Sequence, residues 1–178
     1  PGVLSSRHRN QYPCLEDGMK RLATVAACAL LALGLGLWPA LAAAPLPAAD
    51  GAALWEYISK TAPYQKWGQY PDFKGMVPSK AVHGTNVQVF ANEPALTAKK
   101  TPLPAGSIIV KEGMDDTHKI NQIIVMYKVK GFNPEAGDWF WAKYDSAGKV
   151  GAAGKVAGCI SCHEKKASND YVLSHMYK

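Results

Sequence analysis

The chain has 178 residues, four cysteines and a formal net charge of +6. A chain of that length holds one domain of ordinary size. All of its arginines (Arg7, Arg9, Arg21) lie near the start and the later lysines are scattered, which argues against a surface built to grip nucleic-acid phosphates.

Residues 1–18 carry no structural pattern and are set apart from the fold. From Met19 the chain reads "MKRLATVAACALLALGLGLWPALAAA". Lys20 and Arg21 lead into a long apolar run, Pro39 breaks it, and small residues flank Leu41. That layout predicts a secretory signal peptide over residues 19–42, cleaved after Ala42. The run is about long enough to remain as a membrane anchor, but Gly34, Gly36 and Pro39 favour cleavage. Export predicts a periplasmic protein with no membrane attachment after cleavage. The leader carries Arg7, Arg9, Lys20 and Arg21 against Glu16 and Asp17, so +4 of the +6 stays with residues 43–178. Such a mildly basic surface suits solubility and an acidic partner.

Within residues 43–178, "DGAALWEYISKTA" predicts an amphipathic helix. Asp50 is its N-cap, Leu54, Tyr57 and Ile58 share a face, and Pro63 ends it. The aromatic, Pro- and Gly-rich stretch after it predicts an ordered loop packed on the core through Trp67, Tyr70 and Phe73. Four strands follow, over Val87–Asn92, Ser107–Glu112, Asn121–Lys130 and Asp138–Asp145, separated by turn signals. Short polar turns between neighbouring strands predict antiparallel pairing. "SAGKVGAAGKVAG" reads as a glycine-rich lead-in to the cysteines, and Asp170–Lys178 as a short terminal helix. The expected class is α+β, mainly antiparallel β: an N-terminal helix on a small sheet with a C-terminal motif segment.

Cys14 and Cys28 leave with the leader, so the exported domain keeps Cys159 and Cys162 alone. An oxidising compartment closes such a pair into a disulfide unless something else claims the thiols. Cys159-Ile160-Ser161-Cys162-His163 is the c-type haem attachment pattern. Two thiols add across the haem vinyl groups and the histidine becomes the proximal iron ligand. A plain disulfide, a thioredoxin-like pair and a zinc site with His175 are the alternatives. The last two lack, respectively, a βαβ setting and a second Cys or His pair. The sixth iron position decides between electron transfer and ligand binding. Its candidate ligands are His83, His118, His175, Met76, Met114, Met126 and Met176.

"VQVFANEP", "LPAGSIIVKEG", "IVMYKVKGFNPEAGDWFWAKYDSAGKV" and "GCISCHEKKASNDYV", in this order, resemble the cytochrome P-460 family and its relatives, the β-type cytochromes c′. The resemblance implies a mainly antiparallel β fold, a homodimer, one covalent haem c held by Cys159 and Cys162, and five-coordinate iron on His163. It implies a small gaseous or nitrogenous ligand, NO or hydroxylamine, and a redox partner cytochrome. In enzymatic members, which oxidise hydroxylamine, a lysine is joined to the haem edge, and the matching residue is Lys111. Strand alternation puts Lys111 on the face of Ile109 and Glu112 on the other. A core-facing amine would be desolvated and nucleophilic, whereas one at an exposed strand edge is simply solvated. His83 falls near a distal-pocket position of the family, or is a turn histidine before a strand. Glu112, Asp115, Glu135 and Asp138 are candidate general bases. Phe73, Phe90, Phe132 and Phe140 are candidate caps over the iron. The distal arginine of some enzymatic members has no counterpart here, which leaves the hydroxylamine or NO oxidoreductase as a narrower reading. A six-coordinate electron carrier is the other.

Overall fold

Six strands lie side by side in the order of the sequence, each antiparallel to the last: β1 Met76–Pro78, β2 Asn86–Ala91, β3 Ile108–Met114, β4 Ile120–Lys128, β5 Trp139–Asp145 and β6 Val150–Gly154. The computed structural model describes residues 44–178, so the expectations for residues 1–18 and for the signal peptide lie outside the described residues. The protein is mostly β, with a few short helices around this sheet.

Each strand pairs with the one before it in the chain, even across the long connection of residues 92–107, which makes the sheet a meander. Cross-strand partners share a face, so the register sorts every side chain. One face carries Phe90, Val110, Val125 and Ala142 in a row, with Ile108, Tyr127 and Phe140 beside it. The other carries two rows, Val89–Lys111–Ile124–Lys143 and Ala91–Ile109–Met126–Trp141. Both faces are covered. Leu54, Ile58 and Tyr64 pack on the first, and Tyr70, Ala95, Leu103 and Val172 on the second. Double coverage explains why β5, "WFWAKYD", is aromatic on both sides.

The cover on the first face comes from α1, Gly51–Glu56, which continues as a π-helical turn over Tyr57–Thr61. Asp50 Oδ1 accepts hydrogen bonds from the amides of Ala52 (3.0 Å) and Ala53 (2.9 Å), satisfying donors that the helix cannot. Asp50→Ala is expected to lower stability by about 1 kcal/mol, read as a shifted urea midpoint. A second short helix, α2 Glu93–Thr97, starts at the Asn92 cap with Pro94 in its first turn. Asn92 also accepts from the Ile108 amide and donates to the Gly106 carbonyl, which ties the end of β2 to the start of β3.

Three segments differ from the sequence expectation. Val150–Gly154 is a strand, β6, because the backbone of β5 offers a ladder that small residues can join without a hydrophobic pattern of their own. The loop expected for residues 64–80 contains β1 near its end, while Tyr70 within it is fully buried. Asp170–Lys178 is not helical. The 3-10 turn Glu164–Asn169 stops at Asp170 (φ 52°) and Tyr171 (φ 65°), both left-handed, and a helix does not continue through that conformation.

Candidate functional site

The motif cysteines and histidine lie on α3, Ala157–His163, which follows β6 and packs on the second face of the sheet. His163 is 6% exposed, and its Nδ1 lies 2.8 Å from the Tyr171 carbonyl oxygen. A carbonyl can only accept, so Nδ1 carries the proton and Nε2 keeps its lone pair. Trp141 holds the ring from the side, with centroids 4.7 Å apart and planes at 69°. Burial pulls the imidazole below its ordinary range, against the Tyr171 hydrogen bond, and the Lys111 charge adds to the depression. The ring is therefore neutral at neutral pH, the form that binds a metal. Cys159 and Cys162 are free thiols, one turn apart.

A cavity of about 490 Å³ opens beside this helix, bounded by Cys162 and His163, Lys111 on β3, Val87 on β2, and the 77–83 segment with Phe73 and Leu173. Its size is that of an ordinary cofactor site. A tighter recess shares His83, Lys111, His163 and Leu173 with it and adds Ile109, Ile124 and Met126. The second-face rows of the sheet thus form the cavity floor.

Lys111 lies on that floor, and Glu112 points to the opposite face, where its Oε1 accepts from the Tyr64 hydroxyl at 2.7 Å. Burial lowers the Lys111 ammonium below the usual lysine range, with Cys162 opposing. His83 comes to the cavity from the turn between β1 and β2. Burial first, then the charges of Lys111, His163 and Lys143, push its pKa down to about 4. Both residues singled out in the sequence therefore share one cavity with His163.

Other candidates are placed elsewhere. Among the described residues, no carboxylate lines either the cavity or its recess. Glu112 is on the wrong face, Asp115 caps its own turn after β3, and Glu135 and Asp138 sit in the β4–β5 connection. Of the four phenylalanines only Phe73 reaches the cavity, while Phe90, Phe132 and Phe140 pack on the first face. Of the seven candidate sixth ligands, His83 lines the cavity and its recess and Met126 the recess; His175 is bonded to Asp72 at 2.6 Å and stacked on Tyr70. Among the described residues no three His, Cys, Asp or Glu side chains converge as an ion site.

Trp141, Tyr171, Asp170 and Leu173 have no signal in the motif reading. Trp141 and Tyr171 act on His163 across 22 and 8 residues of chain, through a ring contact and a backbone carbonyl respectively. The one available cue is "ND" before the tyrosine, since Asn and Asp accept left-handed backbone more readily than other residues.

The residues present fit a haem. Two thiols, an imidazole with its proton committed and an adjoining cavity supply the anchors, the ligand and the space. The indole N–H of Trp141, fully buried beside His163, has no protein partner. Trp141 lines neither the cavity nor its recess, so this donor bears on the packing behind the imidazole and not on the haem fit. Fold and site together suit a haem protein. The family model described as Cytochrome P460 matches residues 61–174, and the chain belongs to that family. Among curated proteins, none matches this chain.

Proposed function

We propose that this is an exported, periplasmic monohaem cytochrome whose iron is five-coordinate and open to small nitrogen species, NO or hydroxylamine. The observation that carries the reading is the make-up of the cavity around His163. Its walls are largely apolar, and five of the seven candidate sixth ligands line neither it nor its recess.

Cys159 and Cys162 would hold the haem and His163 its iron. When bound, the haem supplies a metal that takes a small ligand and exchanges electrons. The chain supplies the rest. Ile109, Ile124 and Met126 keep water from the floor. The Tyr171 carbonyl holds the proton on His163 Nδ1. His83, neutral at neutral pH, has a ring nitrogen able to accept a proton from a bound N–H or O–H. A homodimer and a partner cytochrome belong to the same reading.

A narrower reading makes the protein a hydroxylamine or NO oxidoreductase with Lys111 joined to the haem. The position of Lys111 on the cavity floor and its depressed ammonium favour it. The lack of a cavity carboxylate weighs toward binding without oxidation, unless His83 acts as the base.

Absorption spectra of protein matured with a c-type assembly system test both readings. A ferrous spectrum that changes with NO and CO is expected. A low-spin spectrum indifferent to both would replace the proposal with a six-coordinate electron carrier. A strongly red-shifted Soret band that is lost in Lys111→Ala establishes the link, and an ordinary band rules it out.

A further inference from the structure

The carbonyl that holds His163 belongs to one of two consecutive left-handed residues, Asp170 and Tyr171. Side chains other than glycine adopt this conformation rarely, and it persists where the surroundings over-determine it. Here those surroundings converge on Asp170. Its carboxylate is buried against the Lys128 ammonium on β4, with Nζ 2.5 Å from Oδ1 and 2.7 Å from Oδ2. Oδ2 also accepts from the Leu103 amide at 2.7 Å. Its carbonyl accepts from Trp139 Nε1 on β5 at 2.8 Å, and the Lys128 ammonium lies 4.8 Å over the same indole. Three groups from β4, β5 and the 101–106 loop therefore fix the residue immediately before the His163 acceptor.

We propose that Asp170 is a positioning residue for the proximal histidine. Clamped to the sheet by Lys128, Leu103 and Trp139, it sets the Tyr171 carbonyl in place and so fixes both the orientation and the donor strength of the His163 imidazole. A firm acceptor at Nδ1 gives the ring anionic character and makes Nε2 a stronger ligand, which favours the oxidised metal. A slack acceptor does the reverse. The inference rests on the haem reading above.

The test compares haem-loaded wild type with Lys128→Met/Asp170→Asn. This double variant removes one positive and one negative charge together, so long-range electrostatics change little. Resonance Raman of the ferrous protein reads the iron–histidine stretching band, and spectroelectrochemistry reads the reduction potential. The expected result is a band shifted to lower frequency and a potential shifted upward. Asp170→Asn alone keeps an acceptor for Leu103 in a residue that tolerates left-handed backbone, and shifts the band less. It carries the comparison if the double variant does not accumulate. Leu54→Ala, buried on the opposite face, supplies a loss of stability remote from the clamp and should leave band and potential unmoved. A wild-type band in both clamp variants, or an equal shift in Leu54→Ala, overturns the inference while leaving the haem reading intact. Matured wild type without thioether-bound haem overturns both.

Discussion

Gly113→Ala is expected to displace His83 from the cavity and to destabilise the protein by about 1–3 kcal/mol, the usual range for overpacking a tight site. Gly113 lies on the second face of β3, one position along from Lys111 on that face. A methyl group there would sit 1.7 Å from the His83 carbonyl oxygen and 2.8 Å from Gln122 Cγ. Gln122 can swing aside. The carbonyl cannot, because the turn that carries it is stapled by Ser79 N to Thr85 O and by Thr85 N to Met114 O, both within 3 Å. Either the turn lifts or the strand parts, and the cavity loses His83 in both cases. The consequence can be read by NMR titration of the imidazole. Held near 4 by burial and neighbouring cations in the wild type, it should move up toward its ordinary value once solvated. The same shift has a thermodynamic sign. Below its ordinary value of about 6.5 the unfolded chain binds a proton that the folded chain refuses until about 4, so His83 costs stability progressively across that window as the pH falls. The slope of unfolding free energy against pH between those limits should be shallower in Gly113→Ala.

That prediction depends on a contact between residues 83 and 113, the kind of fact that the sequence carried least well. Residues 120–128, 139–145 and most of β2 and β3 were legible as strands because β-branched and aromatic side chains alternate over a two-sided core. The face of Lys111 followed from parity alone, and the motif at Cys159 needed only spacing. Val150–Gly154 was not legible, since alanine and glycine carry no periodic signal and its strand character comes from the backbone of β5. The carboxylates could not be placed either. Glu112 is one residue from Lys111 yet on the other side of the sheet, and its partner Tyr64 lies 48 residues away. Likewise Lys128 and Asp170 meet across 42 residues and Trp139 and Asp170 across 31. Local patterns report which face a side chain takes, but long-range closure decides what stands opposite it.

Trp141 is where that closure bears most heavily on the site, and Trp141→Ala should lower stability by about 3–5 kcal/mol. The side chain is fully buried on β5, in register with Met126 on one side and Gly154 on the other. It packs in the second core with Cys159, Ile160 and Val172, and it makes the edge contact that holds the His163 ring. Truncation therefore removes a large apolar volume and one wall of the imidazole together. The hydrogen bond from Nδ1 to Tyr171 remains, and a single bond leaves the ring free to rotate about it. Trp141→Phe separates the two effects. A phenyl ring keeps an aromatic edge against the imidazole and removes an indole N–H that has no protein partner, whose burial alone costs about 1–3 kcal/mol. In guanidinium unfolding, Trp141→Phe should thus lie well above Trp141→Ala and within about 2 kcal/mol of wild type. An equal loss in both variants would mean that the indole N–H is satisfied in the working protein, and would overturn the prediction.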